Sequence, residues 1–144
     1  MLNTIQNNIS KKQIEIPEIV INNQIKNDKL KIVIHDNYIV VIADNIEAIL
    51  RYHSYNFDQH NGSFSITCYL TKIKPFYMTY CIPMIGKKYS FIEYQNKLIT
   101  CKFDQIPEIT NIIKNAGCKD ITSIEFKKGK ILVEFISENE LIPV

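Results

Sequence analysis

Glu125 and Lys127 are the residues whose types and spacing come closest to a catalytic motif. They stand in "IEFK", and a carboxylate followed at this spacing by a lysine is half of a PD-(D/E)xK nuclease site. Such a site needs a second acid beside the first, so that both carboxylates hold Mg²⁺. Asp120 is too close in sequence to be presented across a hairpin, and Glu108 would have to act from a helix start. We therefore expect a non-catalytic protein, with a metal-dependent nuclease as an alternative.

Metal and cofactor motifs are absent from the sequence. The histidines, which are not at metal-binding spacings, are His35, His53 and His60. None of the four cysteines lies in a CxxC motif; they are Cys68, Cys81, Cys101 and Cys118. All but Cys118 fall in strand-like runs, which is typical of reduced thiols in a core. With four glycines and no phosphate-binding loop, we expect neither a metal nor a cofactor.

Length and composition indicate one globular domain. The chain has 144 residues, of which 46% are hydrophobic and 22% charged. The net charge of +2 neither requires nor excludes a polyanionic partner, so a nucleic-acid interface would depend on local clustering of cations. No signal-peptide core and no apolar run of ~18–20 residues is visible, and we expect an intracellular protein without a membrane role.

The first half of the chain is predicted to contain a hairpin, a helix and two further strands. Residues 1–27 are predicted to form a polar N-terminal arm, partly disordered. Within it, "IEIPEIVI" forms at most an edge strand, because Pro17 has no N–H to donate to a neighbouring strand. Two β-branched runs around residues 35–37 predict a hairpin. Ile46, Ile49, Leu50 and His53 then recur at helical spacing. The helix would begin at Asp44 or Asn45, and "SFSITCYLTKI" and "FYMTYCIP" would follow as strands.

The second half repeats this order. "KYSFIEY" and "KLITCKF" predict strands joined at Gln95-Asn96. A helix follows, with Asp104 as its candidate cap, Pro107 in its first turn and Gly117 at its end. Its apolar stripe comprises Ile106, Ile109, Ile112, Ile113 and Ala116. "DITSIEF" and "KILVEFI" close the half as a hairpin around residues 127–130.

These elements predict an α+β fold of two hairpin–helix–hairpin units, at residues 28–83 and 88–138 of a single domain over 28–144. The helices of two like units would lie side by side on one face of an antiparallel sheet.

The segment "FIEYQNKLITCKFDQIPEITNIIKNAGCKDITSIEFKKGKILVEFISEN" resembles the second half of the first domain of sliding DNA clamps of the proliferating-cell-nuclear-antigen family. The match is centred on residues 88–139, and "IIKNAGCKD" is its most specific part. The resemblance implies a clamp-like domain whose helices contact the phosphates of duplex DNA inside a ring, without reading bases. The DNA-contacting residues it implies are Arg51, Asn111, Lys114 and Lys119.

The resemblance also implies a subunit boundary. The strand "ILVEFIS" matches the family strand that pairs with the neighbouring subunit, which assigns Ile131, Val133 and Phe135 to an interface. The implied partners are duplex DNA, further copies of this chain or another clamp-like chain, and a polymerase or other replication proteins. A family subunit has two domains where this chain has one. A viral replication or transcription accessory factor fits nearly as well, and a protein-binding module such as an inhibitor or immunity protein is the main alternative.

Overall fold

The computed structural model describes residues 12–25, 30–75 and 89–137. In these residues, two antiparallel sheets enclose one core. The strands are β1 Lys12–Pro17, β2 Leu30–His35, β3 Tyr38–Ala43, β4 Ile46–Asp58, β5 Ser63–Lys74, β6 Ile92–Gln95, β7 Leu98–Lys102, β8 Cys118–Lys127 and β9 Lys130–Ser137. The helices are α1 Glu18–Asn22 and α2 Pro107–Asn115, with a 3₁₀ turn at Phe103–Gln105 before α2.

The strands form a large sheet and a small sheet. The large sheet has the order β2-β3-β4-β5-β7-β6, and the small sheet has the order β1-β9-β8. The predicted hairpins β2–β3, β6–β7 and β8–β9 are confirmed. Asn37 and Gly129 take positive φ angles of 73° and 80° in two of their turns. Asn and Gly adopt this conformation at low cost, which is why these turns could be predicted. The strand predicted at residues 76–83 lies outside the described residues.

The helix predicted after Asp44 is wrong, because this segment forms β4. Apolar residues also recur there with period two, and Ala48 and Leu50 are buried to 1% and 4% exposure. Val41 and Ile73 flank Ala48 on the neighbouring strands. Ile46 and Leu50 fit both periods, and pairing with β3 and β5 favours the sheet.

Residues 12–25, within the segment predicted as a partly disordered arm, form β1 and α1. β1 is the edge strand expected from the sequence and ends at Pro17, as a residue without an N–H requires. In α1, a carboxylate oxygen of Glu18 accepts the N–H of Ile34 at 2.7 Å, and Asn22 bonds both backbone groups of Ile32. These bonds attach the segment to β2. Residues 1–11 and 26–27 lie outside the described part of the chain.

The second predicted helix is confirmed as α2. Pro107 occupies its first turn, and Gly117 follows it with a φ of 68°. Ile106 and Ile109 are fully buried, while Ile113 and Ala116 pack against the core from its margin. Asp104 is not the cap: its carboxylate accepts the N–H of Phe64 on β5 instead.

The two predicted units are therefore not alike. The first supplies β2 to β5 of the large sheet, whereas the second divides its strands between both sheets. Ile109 of α2 is fully buried in the core, whereas Ile49 lies on the outer face of the large sheet, away from the core. The segment predicted to pair with α2 is β4. The fold is mostly β, and α+β describes it only coarsely.

Candidate nucleic-acid interface

The outer face of the large sheet carries a row of side chains across all six strands, and all but one of them are polar or aromatic. Alternation along each strand places these residues opposite the buried ones, and the strand register makes them neighbours from strand to strand. The transverse row comprises His35, Tyr38, Arg51, Tyr69, Leu98 and Gln95, in the order β2, β3, β4, β5, β7 and β6.

Ring contacts hold the middle of the transverse row in place. His35 stacks on Tyr38 with ring centroids 4.8 Å apart, and the Arg51 guanidinium carbon lies 5.7 Å from the Tyr38 ring centroid. This is the geometry of a cation–π contact. His53 meets the Tyr69 ring edge-on, with centroids 6.4 Å apart, and Tyr69 remains 39% exposed. The row thus combines an oriented cation with an exposed aromatic ring.

Positive charge is concentrated on this face. Its outward cations are Lys31, Arg51, Lys72, Lys74 and Lys102. Glu47, Asp58 and Glu93 are its three outward carboxylates, and Glu93 lies 3.4 Å from the Lys102 ammonium group. Five cations against three carboxylates leave this face with an excess of two positive charges. The described residues contain twelve Lys or Arg and twelve Asp or Glu, so those outside this face carry a net charge of −2.

Half-buried apolar residues lie beside the transverse row. Val33, Val40 and Ile49 are neighbours on β2, β3 and β4, and their side chains point outward. Lys72 pairs with Ile49 at a bulge in β5, which places Lys72 beside the β4 end of this apolar strip. Aliphatic neighbours of this kind support the stems of long cationic side chains.

The structure does not bring the four predicted DNA-contacting residues together on one helical wall. Arg51 belongs to the transverse row. Asn111 and Lys114 lie on the exposed side of α2, and Lys119 is exposed near the start of β8. The carboxylates that accompany them are Asp104, Glu108 and Asp120, all exposed. With three carboxylates and two lysines, this second surface has no net positive charge.

The strand β9, which was predicted to pair with a neighbouring subunit, is not an exposed edge. β9 is the middle strand of the small sheet, with β1 on one side and β8 on the other. Ile131, Val133 and Phe135 are 1%, 0% and 2% exposed, because they fill the core between the sheets. β1, from the segment predicted to be an arm, covers the edge that pairing between copies would use.

The nuclease alternative receives no support from the geometry. Glu125 and Lys127 form an ion pair of 2.9 Å on the surface of β8. The hydrogen bond and the charge of Glu125 raise the pKa of Lys127. Asp36 approaches the β8–β9 turn, but its carboxylate accepts the N–H of Lys128. Among the described residues, no three His, Cys, Asp or Glu side chains are grouped as metal ligands.

The prediction of core cysteines is confirmed, whereas the prediction for His53 is wrong. Cys68 and Cys118 are buried, and burial raises the pKa of their thiols to about 12 and about 11. Cys101 is half-buried, and burial likewise raises its pKa. These three are core thiols, as predicted; Cys81 lies outside the described residues. His53, expected at the apolar face of a helix, is exposed beside Tyr69.

Sequence reasoning missed Tyr38, Tyr69 and Lys72 as members of one surface. The signal that would have found them is the period of two in β4, since it turns Arg51 outward beside its cross-strand neighbours Tyr38 and Tyr69.

Comparisons of the chain with models of protein families, with curated proteins and with solved structures give no match. In the residues that the structure describes, neither helix has the length and hydropathy needed to cross a membrane.

Proposed function

We propose that this chain is a non-catalytic nucleic-acid-binding accessory protein that contacts the phosphate backbone, without reading bases, through the outer face of the large sheet. The observation that carries the proposal is the concentration of positive charge on that face, which has five cations and three carboxylates. A processivity role in replication or transcription, which the clamp resemblance implies, belongs to the same proposal.

Backbone contacts suit the residues on this face. Lysines on aliphatic stems neutralise phosphates as mobile point charges, and the release of condensed counterions then drives binding. Arg51 is the exception, because the Tyr38 ring holds its guanidinium over the sheet. Such an interface attracts any polyanionic backbone and does not depend on base sequence.

Encirclement of DNA by a ring would require a subunit contact other than β9, since both edges of that strand are paired within the chain. The outermost strands of the large sheet are β2 and β6. Backbone contact through a sheet face needs no ring, and we therefore propose binding by surface contact.

The test compares charge removal on the sheet face with charge removal near α2. Arg51→Ala combined with Lys72→Ala should weaken binding to a fluorescein-labelled oligonucleotide of random sequence, measured by anisotropy from 20 to 200 mM NaCl. The slope of log K against log salt should become less steep by roughly 1 for each phosphate that the variant no longer neutralises. Lys114→Ala combined with Lys119→Ala is the matched control, which removes the same charge and should leave the slope unchanged.

Two outcomes would contradict the proposal. A larger effect in the Lys114/Lys119 variant would assign binding to α2, as the clamp resemblance implies. No binding by the parent protein at 20 mM NaCl would favour the protein-binding module, for which the half-buried strip of Val33, Val40 and Ile49 offers an apolar contact surface.

A further inference from the structure

We infer that the outer face of the large sheet takes single-stranded nucleic acid in preference to duplex, with one base stacked on Tyr69. The inference rests on the proposed function and names the form of nucleic acid that the face selects.

Tyr69 has the properties of a stacking platform. Its side chain is among the few large hydrophobic groups of the described residues that are exposed, at 39%. The contact with His53 is nearly perpendicular, at 78°, so the two rings are not stacked face to face. The exposed part of the ring is available to a base, and base–aromatic stacking is tolerant of sequence because every base has a π-face.

The neighbours of Tyr69 supply the phosphate contacts. In the strand register, Tyr69 pairs with Arg51 on β4 and with Leu98 on β7, and Lys72 follows it on β5. Adjacent strands are ~4.8 Å apart, so Arg51 stands one strand away from the exposed ring. Tyr38 acts as a positioning residue for Arg51, whose guanidinium lies over its ring.

Only a single strand can use both kinds of group at once. A duplex presents its phosphates outside and keeps its bases stacked inside, where a tyrosine on a sheet face cannot reach them. A single strand laid across the sheet exposes base faces and phosphates together, and sheets with exposed aromatic rings are known to stack two or three bases in this way. The transverse row spans all six strands of the large sheet, which is ~24 Å at five strand spacings.

The experiment uses three labelled probes at 50 mM NaCl: a (dT)₁₂ strand, a backbone of the same length made of abasic sites, and a 12-base-pair duplex. We expect the full chain to bind (dT)₁₂ most tightly. Tyr69→Ala should weaken (dT)₁₂ binding by about fivefold to a hundredfold, the range for removal of one stacked base, and should not change binding of the abasic strand. Tyr69→Phe keeps the ring and should stay within about twofold of the parent.

Ile19→Ala provides the control for a surface truncation off this face, since Ile19 is 59% exposed on α1, and it should leave all three affinities unchanged. Arg51→Ala should weaken binding of every probe. If Arg51→Ala weakens binding but Tyr69→Ala does not, or if the duplex binds as tightly as (dT)₁₂, the stacking inference is overturned while backbone binding stands. If the parent protein binds none of the probes, the proposed function fails with it.

Discussion

Cys68 lies on β5 with its thiol buried in the core between the sheets. Burial raises its pKa to about 12, whereas a thiol of the unfolded chain titrates near ~8.5. Above that pH, the unfolded chain releases a proton that the folded chain keeps, and the free energy of unfolding therefore falls as the pH rises towards 12.

We expect Cys68→Ala to reduce this pH dependence. Its free energy of unfolding, measured with urea between pH 8 and 11, should fall less steeply than that of the parent, by up to ~1.4 kcal/mol per pH unit. Comparing the two slopes cancels the lysines and tyrosines, which titrate in both proteins. Parallel slopes would show that Cys68 ionises alike in the folded and unfolded chains.

Gly129 is the residue where backbone conformation matters most for joining the two sheets. It takes a φ of 80° in the β8–β9 turn, donates its N–H to Ile34 and accepts the N–H of Glu18. Ala at this φ is strained, although no atom lies within 4 Å of an added Cβ. We expect Gly129→Ala to lower the free energy of unfolding by ~1 kcal/mol or more.

Gly129→Asn is the matched control, because Asn tolerates positive φ better than Ala. Its decrease in stability in the same urea titration should be the smaller of the two. Equal decreases would mean that the size of the new side chain, and not its conformation, sets the cost.

At the scale of elements, β1 decides whether β9 is an edge. Ile16 of β1 is fully buried opposite Ile131, and this pairing closes the side of β9 that faces away from β8. We expect Ile16→Ala to cost ~2–5 kcal/mol in urea unfolding, as large-to-small changes in a core do. Ile19→Ala, on the exposed side of α1, should cost no more than ~0.5 kcal/mol. A small effect at Ile16 would mean that β1 is only loosely held.

The position of β9 in the middle of the small sheet determines what a charge at Val133 would do. Because Val133 is fully buried in this chain's own core, Val133→Lys should unfold the protein and not separate subunits. Circular dichroism would show the unfolding at temperatures where the parent is folded. A folded variant of smaller mass in light scattering would restore Val133 to a subunit boundary.

At the scale of the whole molecule, backbone contacts between turns tie the two sheets into one unit. Asn37 of the β2–β3 turn donates to Phe126, and Gly129 of the β8–β9 turn donates to Ile34. Tyr55 of the large sheet donates its hydroxyl to the carbonyl of Ile121 in the small sheet, at 2.7 Å. A cavity of about 80 Å³ with apolar walls lies between the sheets.

One cooperative unfolding transition should follow from this shared core. Far-ultraviolet circular dichroism and tyrosine fluorescence should give the same urea midpoint, in the parent and in Gly129→Ala. Separate midpoints for the two probes would show that the sheets unfold independently.

The features of this chain that were predictable from its residues are those in which local chemistry is decisive. The positive φ of Asn37 and Gly129, Pro107 in the first turn of α2 and Gly117 behind it act within a few residues. The hairpins, the helix α2, the core cysteines and the edge strand at Pro17 follow from such local effects.

Features that depend on distant partners required the folded chain. The segment after Asp44 fits a helix and a strand equally well, and only pairing with β3 and β5 makes it β4. The edge of β9 is closed by β1, which comes from the other end of the chain. The transverse row follows from the same pairing, because Arg51 meets Tyr38 and Tyr69 only when three separate strands align. Periodicity records which residues are buried, whereas the register between strands, set by contacts far apart in sequence, determines which exposed residues become neighbours.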